Sequence, residues 1–315
     1  MKSFAFVFPG QGSQSVGMLS SLMQNSVYQS TFAEANEALG YDLQKIVLKG
    51  PESELNKTEI TQPAILTASV ALYRTITAVS GNVLPVAMAG HSLGEYSALV
   101  AAGALNFADA VRLVRLRGQA MQEAVPLGEG AMMAVLGLED EVVRQGCAES
   151  STPEEGVWAA NYNTPGQVVI SGAASAVKRA GEYFSAHGAR RVLPLPVSVP
   201  SHCPMMQPAA DKLAAALHEI EVKNATVPVY ANVLAKGIKA KEEIIDCLVG
   251  QLVGSVRWVE TVQNMASEGI TGLVEVGPGK VLTGLNRKID KSLATYNVTI
   301  EDDISKILES LKEEE

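Results

Sequence analysis

Between a short apolar stretch, LPVAMAG (84–90), and a run rich in small residues, LGEYSALVAAGAL, stands Gly90-His91-Ser92-Leu93-Gly94. A strand can pass into a helix through so sharp a turn only if the residues two before and two after the central serine lack bulk. G-x-S-x-G in this setting therefore predicts a nucleophile elbow, with Ser92 Oγ held at the N-terminus of the following helix. The positive dipole end and free N–H groups there favour an oxyanion. The blander reading is a strand-to-helix turn with an N-capping serine, which is common; two glycines in the right context favour the elbow.

The rest of the chain keeps the alternation of strand and helix. FAFVF (4–8) reads as a strand and runs into a loop with Gly10, Gly12 and Gly17. Helical segments follow around 16–40, and then a charged stretch, KGPESELNKTE. A helix is expected to open at Pro63, where a first-turn proline costs no hydrogen bond, and to close at Gly81. ADAVRLVRLRGQAMQEAV is the next helix, closed by Pro126. Such alternation indicates an α/β fold with a parallel sheet covered on both faces.

Residues 131–196 change rhythm: AMMAVLGL, DEVVRQGCAES, VWAANYN, QVVISG, AASAVKRAGEYFSAHG and ARRVLPLPV spell β-α-β-β-α-β, the order of a ferredoxin-like unit. Afterwards the first style returns, with a helix at about 204–218, the strand VPVYANV, helices over about 241–266, and TGLVEVG as a last buried strand. PGKVLTGLNRK begins a helix behind Pro278. The division is a discontinuous core, 1–127 and 199–315, carrying an inserted unit, 128–198. EDDISKILESLKEEE ends the chain as an amphipathic helix with Ile304, Ile307, Leu308 and Leu311 on one face.

Composition narrows the partners. The 315 residues, 47% hydrophobic and 19% charged, describe an ordinary globule long enough for a sizeable core. A formal charge of −9 argues against nucleic acid or an anionic membrane as the main partner. With no apolar run of membrane-spanning length, and Met1-Lys2-Ser3 leading straight into a strand, the expectation is a cytoplasmic protein. Cys147, Cys203 and Cys247 show neither CxxC nor His/Cys zinc spacing, so neither a metal site nor a structural disulfide is expected.

A serine needs a base. Of the four histidines, His91 adjoins the serine in the turn, and His187 and His218 sit near helix ends. His202, in LPVSVPSHCPMM, is the best candidate, where an extended segment flanked by prolines meets a helix. Asp109 and Asp140 are the nearest candidates for a triad acid between Ser92 and His202, and neither convinces, so a Ser–His dyad without a carboxylate is expected. On the next helix Arg117 shares a face with Ala110, Leu113, Val114 and Met121, so it is buried and needs a fixed anionic partner. That partner is either an internal carboxylate or the carboxylate of a bound acyl group. The opening glycine loop misses G-x-G-x-x-G because Ser15 stands where the third glycine belongs, which speaks against a dinucleotide site.

GQGSQ, TQPAILTAS, GHSLGEYSALVAAG, RLRGQAMQ, NTPGQVVISG, PSHCPMM and EVGPGKVLTGL occur in order. With them the chain closely resembles the bacterial malonyl-CoA:acyl carrier protein transacylases over nearly its whole length. The resemblance implies an α/β-hydrolase-like core with an inserted ferredoxin-like subdomain. It also implies ping-pong transfer of malonyl from malonyl-CoA to the phosphopantetheine thiol of acyl carrier protein, for fatty-acid elongation, by a monomer without metal or cofactor. By the same resemblance Ser92 is the malonylated nucleophile, His202 its base and later acid, and Arg117 the clamp on the malonyl carboxylate. The N–H groups of Gln11 and Leu93 correspond to the oxyanion hole, and the main-chain carbonyl of Gln251 to the group that orients the histidine. Val253 and Ser255 stand where relatives often carry an aromatic residue and a proline. A thioesterase or esterase shares the elbow and the hole, and the missing triad acid weighs against it. A non-catalytic docking module rests on Lys178, Arg179, Arg190 and Arg191 as anchors for an acidic carrier, charges that more often form a solvated face.

Overall fold

The computed structural model describes residues 3–80, 84–197, 199–298 and 301–312. Met1 and Lys2, Gly81 as the expected helix end, and Ser198 at the expected boundary lie outside the described residues, as do the side chains of Leu308 and Leu311.

β1 (Phe4–Phe8) is buried throughout. Its side chains alternate, Phe4, Phe6 and Phe8 into one core cluster and Ala5 and Val7 into another, as a strand covered on both faces requires. α1 (Ser26–Leu39), α2 (Leu43–Lys49), α3 (Glu52–Leu55) and α4 (Thr58–Ser80) follow. β2 (Ala87–Gly90) then lies parallel to β1, from Ala5 opposite Ala87 to Phe8 opposite Gly90, and leads into α5 (Gly94–Ala101) and α6 (Phe107–Ala124).

The second unit is β3 (Gly130–Leu136), α7 (Asp140–Ser150), β4 (Val157–Thr164), β5 (Gln167–Ala173), α8 (Ala174–Ala186) and β6 (Arg191–Pro194). Its four strands form an antiparallel sheet in the order β4-β5-β3-β6. One face packs on the two helices through Val143, Cys147, Val177 and Phe184. The other carries Met132, Ala134, Ala160 and Val169, a cluster to which α7 and α8 contribute no residue.

The chain then returns through α9 (Gln207–His218), β7 (Val229–Ala231), β8 (Lys236–Ile238), α10 (Lys241–Val253), α11 (Trp258–Ser267), β9 (Gly272–Val276), α12 (Val281–Ile289), β10 (Ala294–Val298) and α13 (Glu301–Lys312). The large sheet runs β10-β9-β1-β2-β7-β8, parallel except for β8, which turns back against β7. The protein is thus α/β with a mainly parallel sheet. In α13, Ile304 and Ile307 are buried.

The structure corrects four local expectations. α4 begins at Thr58, before Pro63. That proline forfeits its own bond one turn into the helix, and burial of Ile60, Thr61 and Gln62 outweighs the loss. The strand expected over 84–90 shrinks to its last four residues, since Leu84 and Val86 are exposed. TGLVEVG is not the last strand, because β10 follows it with mostly half-buried residues that carry little apolar pattern. The charged stretch before Thr58 contains α3, and β8 was too short to show a period.

Candidate active site

The carboxyl ends of β1, β2 and β7 release three segments at one edge of the parallel sheet, the usual place for a site in such a fold. At the end of β2 the turn is as tight as the two glycines suggest. A Cβ on Gly90 would lie 1.9 Å from the carbonyl carbon of Gly94, and one on Gly94 would lie 2.0 Å from the Phe8 oxygen. Ser92 takes the left-handed backbone, φ 50°, a conformation disfavoured for a side chain and held by its surroundings. Its N–H donates to Asn232 Oδ1 at 2.7 Å, and Asn232 Nδ2 donates back to the Gly90 carbonyl at 2.7 Å. Asn232 follows β7 and braces the elbow from the neighbouring strand.

His202 is brought to the serine from 110 residues away: its Nε2 lies 2.8 Å from Ser92 Oγ. It too has a left-handed backbone, φ 62°, and is only 4% exposed. Its Nδ1 lies 2.8 Å from the main-chain oxygen of Gln251. A carbonyl can only accept, so Nδ1 carries the proton and Nε2 offers its lone pair to the serine hydroxyl. Gln251 stands in the last turn of α10, where carbonyls have no partner within the helix and the dipole is negative. The helix end thus offers Nδ1 an acceptor where no carboxylate does. Asp109 is spent on Arg112 at 2.7 Å, on the outer face of α6. Burial first, and then the charge of Arg117, push His202 down to about 3, so the imidazole is neutral and able to accept a proton.

Arg117 is 1% exposed, on the apolar face of α6 as its spacing predicts. Of the two partners its burial allows, the internal carboxylate is not there, for among the described residues none lies within salt-bridge distance of it. Nη1 donates to Gln62 Oε1 and Nη2 to Gln251 Oε1, both at 2.9 Å, and the guanidinium lies 5.3 Å from the centre of the Tyr96 ring. Nη2 also reaches Ser92 Oγ at 3.3 Å. The result is a buried cation beside a nucleophile, held in place by neutral groups.

These residues line a cavity of about 280 Å³. Gln11, His91, Ser92, Leu93, Arg117 and His202 contribute from the large unit, and the face of the small sheet turned away from α7 and α8 closes it with Met132 and Val169. The glycine loop enters here. A Cβ on Gly10 would meet the His91 oxygen at 2.4 Å, so the loop packs directly on the elbow. The N–H groups of Gln11 and Leu93 have no acceptor among the described residues, and both residues line the cavity. No α-helix begins at those glycines, so the phosphate cradle of a dinucleotide site lacks its helix N-terminus. Among the described residues no group of three His, Cys, Asp or Glu side chains comes together to hold a metal ion, and no helix is long and apolar enough to cross a membrane.

Sequence reasoning singled out Ser92, His202, Arg117, Gln11, Leu93 and Gln251, and the structure gathers all six. It missed Gln62, Asn232 and the side chain of Gln251, which act through amides and leave no periodic or charge signal. His91 turns away from the serine, its Nε2 2.8 Å from Asn163 Oδ1. His187 and His218 are exposed, and all three cysteines are free and buried. Ser255 donates to the Ala159 carbonyl at 2.6 Å, so the departure in that loop ties α10 to β4. Of the surface cations, Arg179 is paired with Glu155 at 2.9 Å, while Lys178, Arg190 and Arg191 are exposed.

Residues 5–302 match the model of the acyl transferase domain. A malonyl CoA-acyl carrier protein transacylase of Salmonella typhimurium is 56% identical over 93% of this chain and 94% of its own. An acyl carrier protein S-malonyltransferase from Vibrio cholerae superposes with a TM-score of 0.94 at 51% identity, covering 97% of this chain and all of that one. A malonyl-transacylase solved in complex with its type II PKS acyl-carrier protein gives a TM-score of 0.95 at 50% identity, over 98% of this chain and 100% of that one. Sequence, fold and the serine–histidine geometry agree, and the chain belongs to the malonyl CoA-acyl carrier protein transacylases, a family of acyltransferases.

Proposed function

We propose that this enzyme moves malonyl from malonyl-CoA to the phosphopantetheine thiol of acyl carrier protein, supplying fatty-acid elongation, through a malonyl ester on Ser92. His202 Nε2 takes the Ser92 proton as Oγ attacks the thioester carbonyl. The developing oxyanion accepts from the N–H groups of Gln11 and Leu93, preorganised donors that need not reorient. The imidazolium is stabilised by the Gln251 carbonyl at the negative end of α10 and returns its proton to the departing coenzyme A sulfur. In the second half His202 deprotonates the carrier thiol, which attacks the ester; the tetrahedral intermediate collapses and Ser92 recovers its proton.

The observation that carries this reading is Arg117: a buried guanidinium with no carboxylate partner among the described residues, 3.3 Å from the nucleophile. A carboxylate one methylene beyond the acyl carbonyl falls within its reach and completes its hydrogen bonding. An acetyl group leaves the cation unanswered. In transfer assays with malonyl-CoA and acetyl-CoA, Arg117→Ala should lower malonyl transfer by about a hundredfold or more and acetyl transfer far less. Equal losses on both donors remove the clamp role. Intact-mass measurement after mixing with malonyl-CoA should show a long-lived malonyl adduct that is lost in Ser92→Ala; rapid turnover without a thiol acceptor would favour a hydrolase instead.

The same reading divides the chain into an α/β-hydrolase-like core, 1–127 and 199–315, and an inserted ferredoxin-like unit, 128–198. The β-α-β-β-α-β order and the strand order of the small sheet support it. On this reading the enzyme is a cytoplasmic monomer that needs no cofactor beyond its thioester substrate.

A further inference from the structure

Glu95 takes no part in the steps above, yet it lies in the first turn of α5, three residues beyond the nucleophile, and is 1% exposed. Among the described residues no Lys, Arg or His side chain is within salt-bridge distance of it. Its Oε2 accepts from Gln251 Nε2 at 2.7 Å and from the Asn232 N–H at 3.0 Å. A buried carboxylate without a direct counter-ion is expensive, so its arrangement calls for a reason.

The reason lies in the Gln251 carboxamide. Its two ends are nearly the same shape and opposite in hydrogen-bonding character. The ionised Glu95 carboxylate can only accept, so it takes the NH₂ end, and the bond is strengthened by the carboxylate's charge. Gln251 Nε2 also donates to the Ser92 carbonyl at 3.0 Å. The amide oxygen is thereby left to face Arg117 Nη2 at 2.9 Å. Arg117, Gln251 and Glu95 form a row in which a neutral amide stands between cation and anion. Direct contact would neutralise the guanidinium and occupy the edge that a substrate needs. Removing the anion altogether would leave the buried cation unbalanced and take away the charge-assisted hold on the amide, leaving the Ser92 carbonyl as the weaker, neutral acceptor of its NH₂.

We propose that Glu95 is a positioning residue for acyl-group selection: acting through the Gln251 carboxamide, it holds the Arg117 guanidinium beside Ser92, its charge balanced at one remove and its edge left for a substrate carboxylate. The raised pKa of Glu95, brought by burial to about 7, is consistent with a carboxylate whose counter-charge is held off. The proposal rests on Arg117 being the malonyl clamp.

The test measures kcat/KM for malonyl-CoA and acetyl-CoA in the unmodified enzyme, Glu95→Gln, Arg117→Ala and the double variant, with thermal melts to confirm folding. Glu95→Gln keeps the shape of the side chain and removes its charge and its exclusive acceptor character. The malonyl-to-acetyl ratio should fall at least about fivefold, a loss of the size expected when one charged hydrogen-bonding group is perturbed. A smaller change overturns the proposal. In the Arg117→Ala background Glu95→Gln should cause no further loss of selectivity; a further loss would mean a route other than Arg117 and overturns it too. If Glu95→Gln does not fold, Glu95→Asp is read by the same ratio, since it keeps the charge but draws the carboxylate back from Gln251 by a methylene. Should Arg117→Ala itself lose both donors equally, the clamp reading fails; if only Arg117→Ala is selective, the role of Glu95 alone fails.

Discussion

Ser92 and His202, in hydrogen-bond contact with each other, both sit in left-handed backbone that their side chains disfavour. Packing holds them there, and that packing has a pH signature. His202 is depressed from about 6.5 in the unfolded chain to about 3 when folded, so between those values the unfolded state binds the extra proton. Its contribution to stability is complete above pH 6.5 and is lost as the pH falls toward 3. Glu95 has the opposite sign: raised to about 7, it contributes most below about 4.5 and loses that contribution as the pH rises through 7. The two partly cancel in the unmodified enzyme, so the measurement that separates them compares it with His202→Asn. The melting temperature of the unmodified enzyme should fall relative to the variant between pH 6.5 and 4.5; parallel curves would mean that His202 titrates normally. Ser92 and Arg117 were legible in the sequence because each carries a local pattern, paired glycines for one and an apolar helical face for the other. His202 was reachable by elimination among four histidines. Gln62, Asn232 and Glu95 were not, because their roles arise from amide and carboxylate contacts across the fold, such as Glu95 to Gln251, 156 positions apart.

Two helix ends of opposite polarity meet at one serine. At the N-terminus of α5 the Leu93 N–H has no acceptor among the described residues, and the C-terminus of α10 lends His202 a carbonyl that no residue within the helix can use. This division accounts for the lack of a convincing triad acid in the sequence, since the acceptor on His202 Nδ1 is a backbone carbonyl and has no sequence signature. Elements with strong periods were readable to within a few residues, among them every strand and helix of the small unit. β8 and β10 were not, because three residues carry no period and a half-buried edge strand carries little apolar alternation. α4 misled for the converse reason. Its proline is a strong local signal, overridden by burial of the turn before it.

At the scale of the molecule, β4 stitches the two units together. Ser255 Oγ donates to the Ala159 carbonyl, the Val256 N–H to Ala160 at 2.8 Å, and the Tyr162 N–H to Val256 at 3.0 Å, while His91 meets Asn163 just beyond. With these bonds at the site itself, the two units should melt as one, giving a single calorimetric transition whose van't Hoff and calorimetric enthalpies agree. Two resolved transitions would show the small unit to be thermodynamically separate. The face of the small sheet turned away from α7 and α8 has a further consequence. It supplies the roof of the cavity through Met132 and Val169, whereas nucleophile, base and guanidinium all stand on the floor. Chemistry and capacity thus reside in different bodies of the same chain, and the room given to an acyl group can be redrawn by substitutions in the roof without touching an atom that reacts.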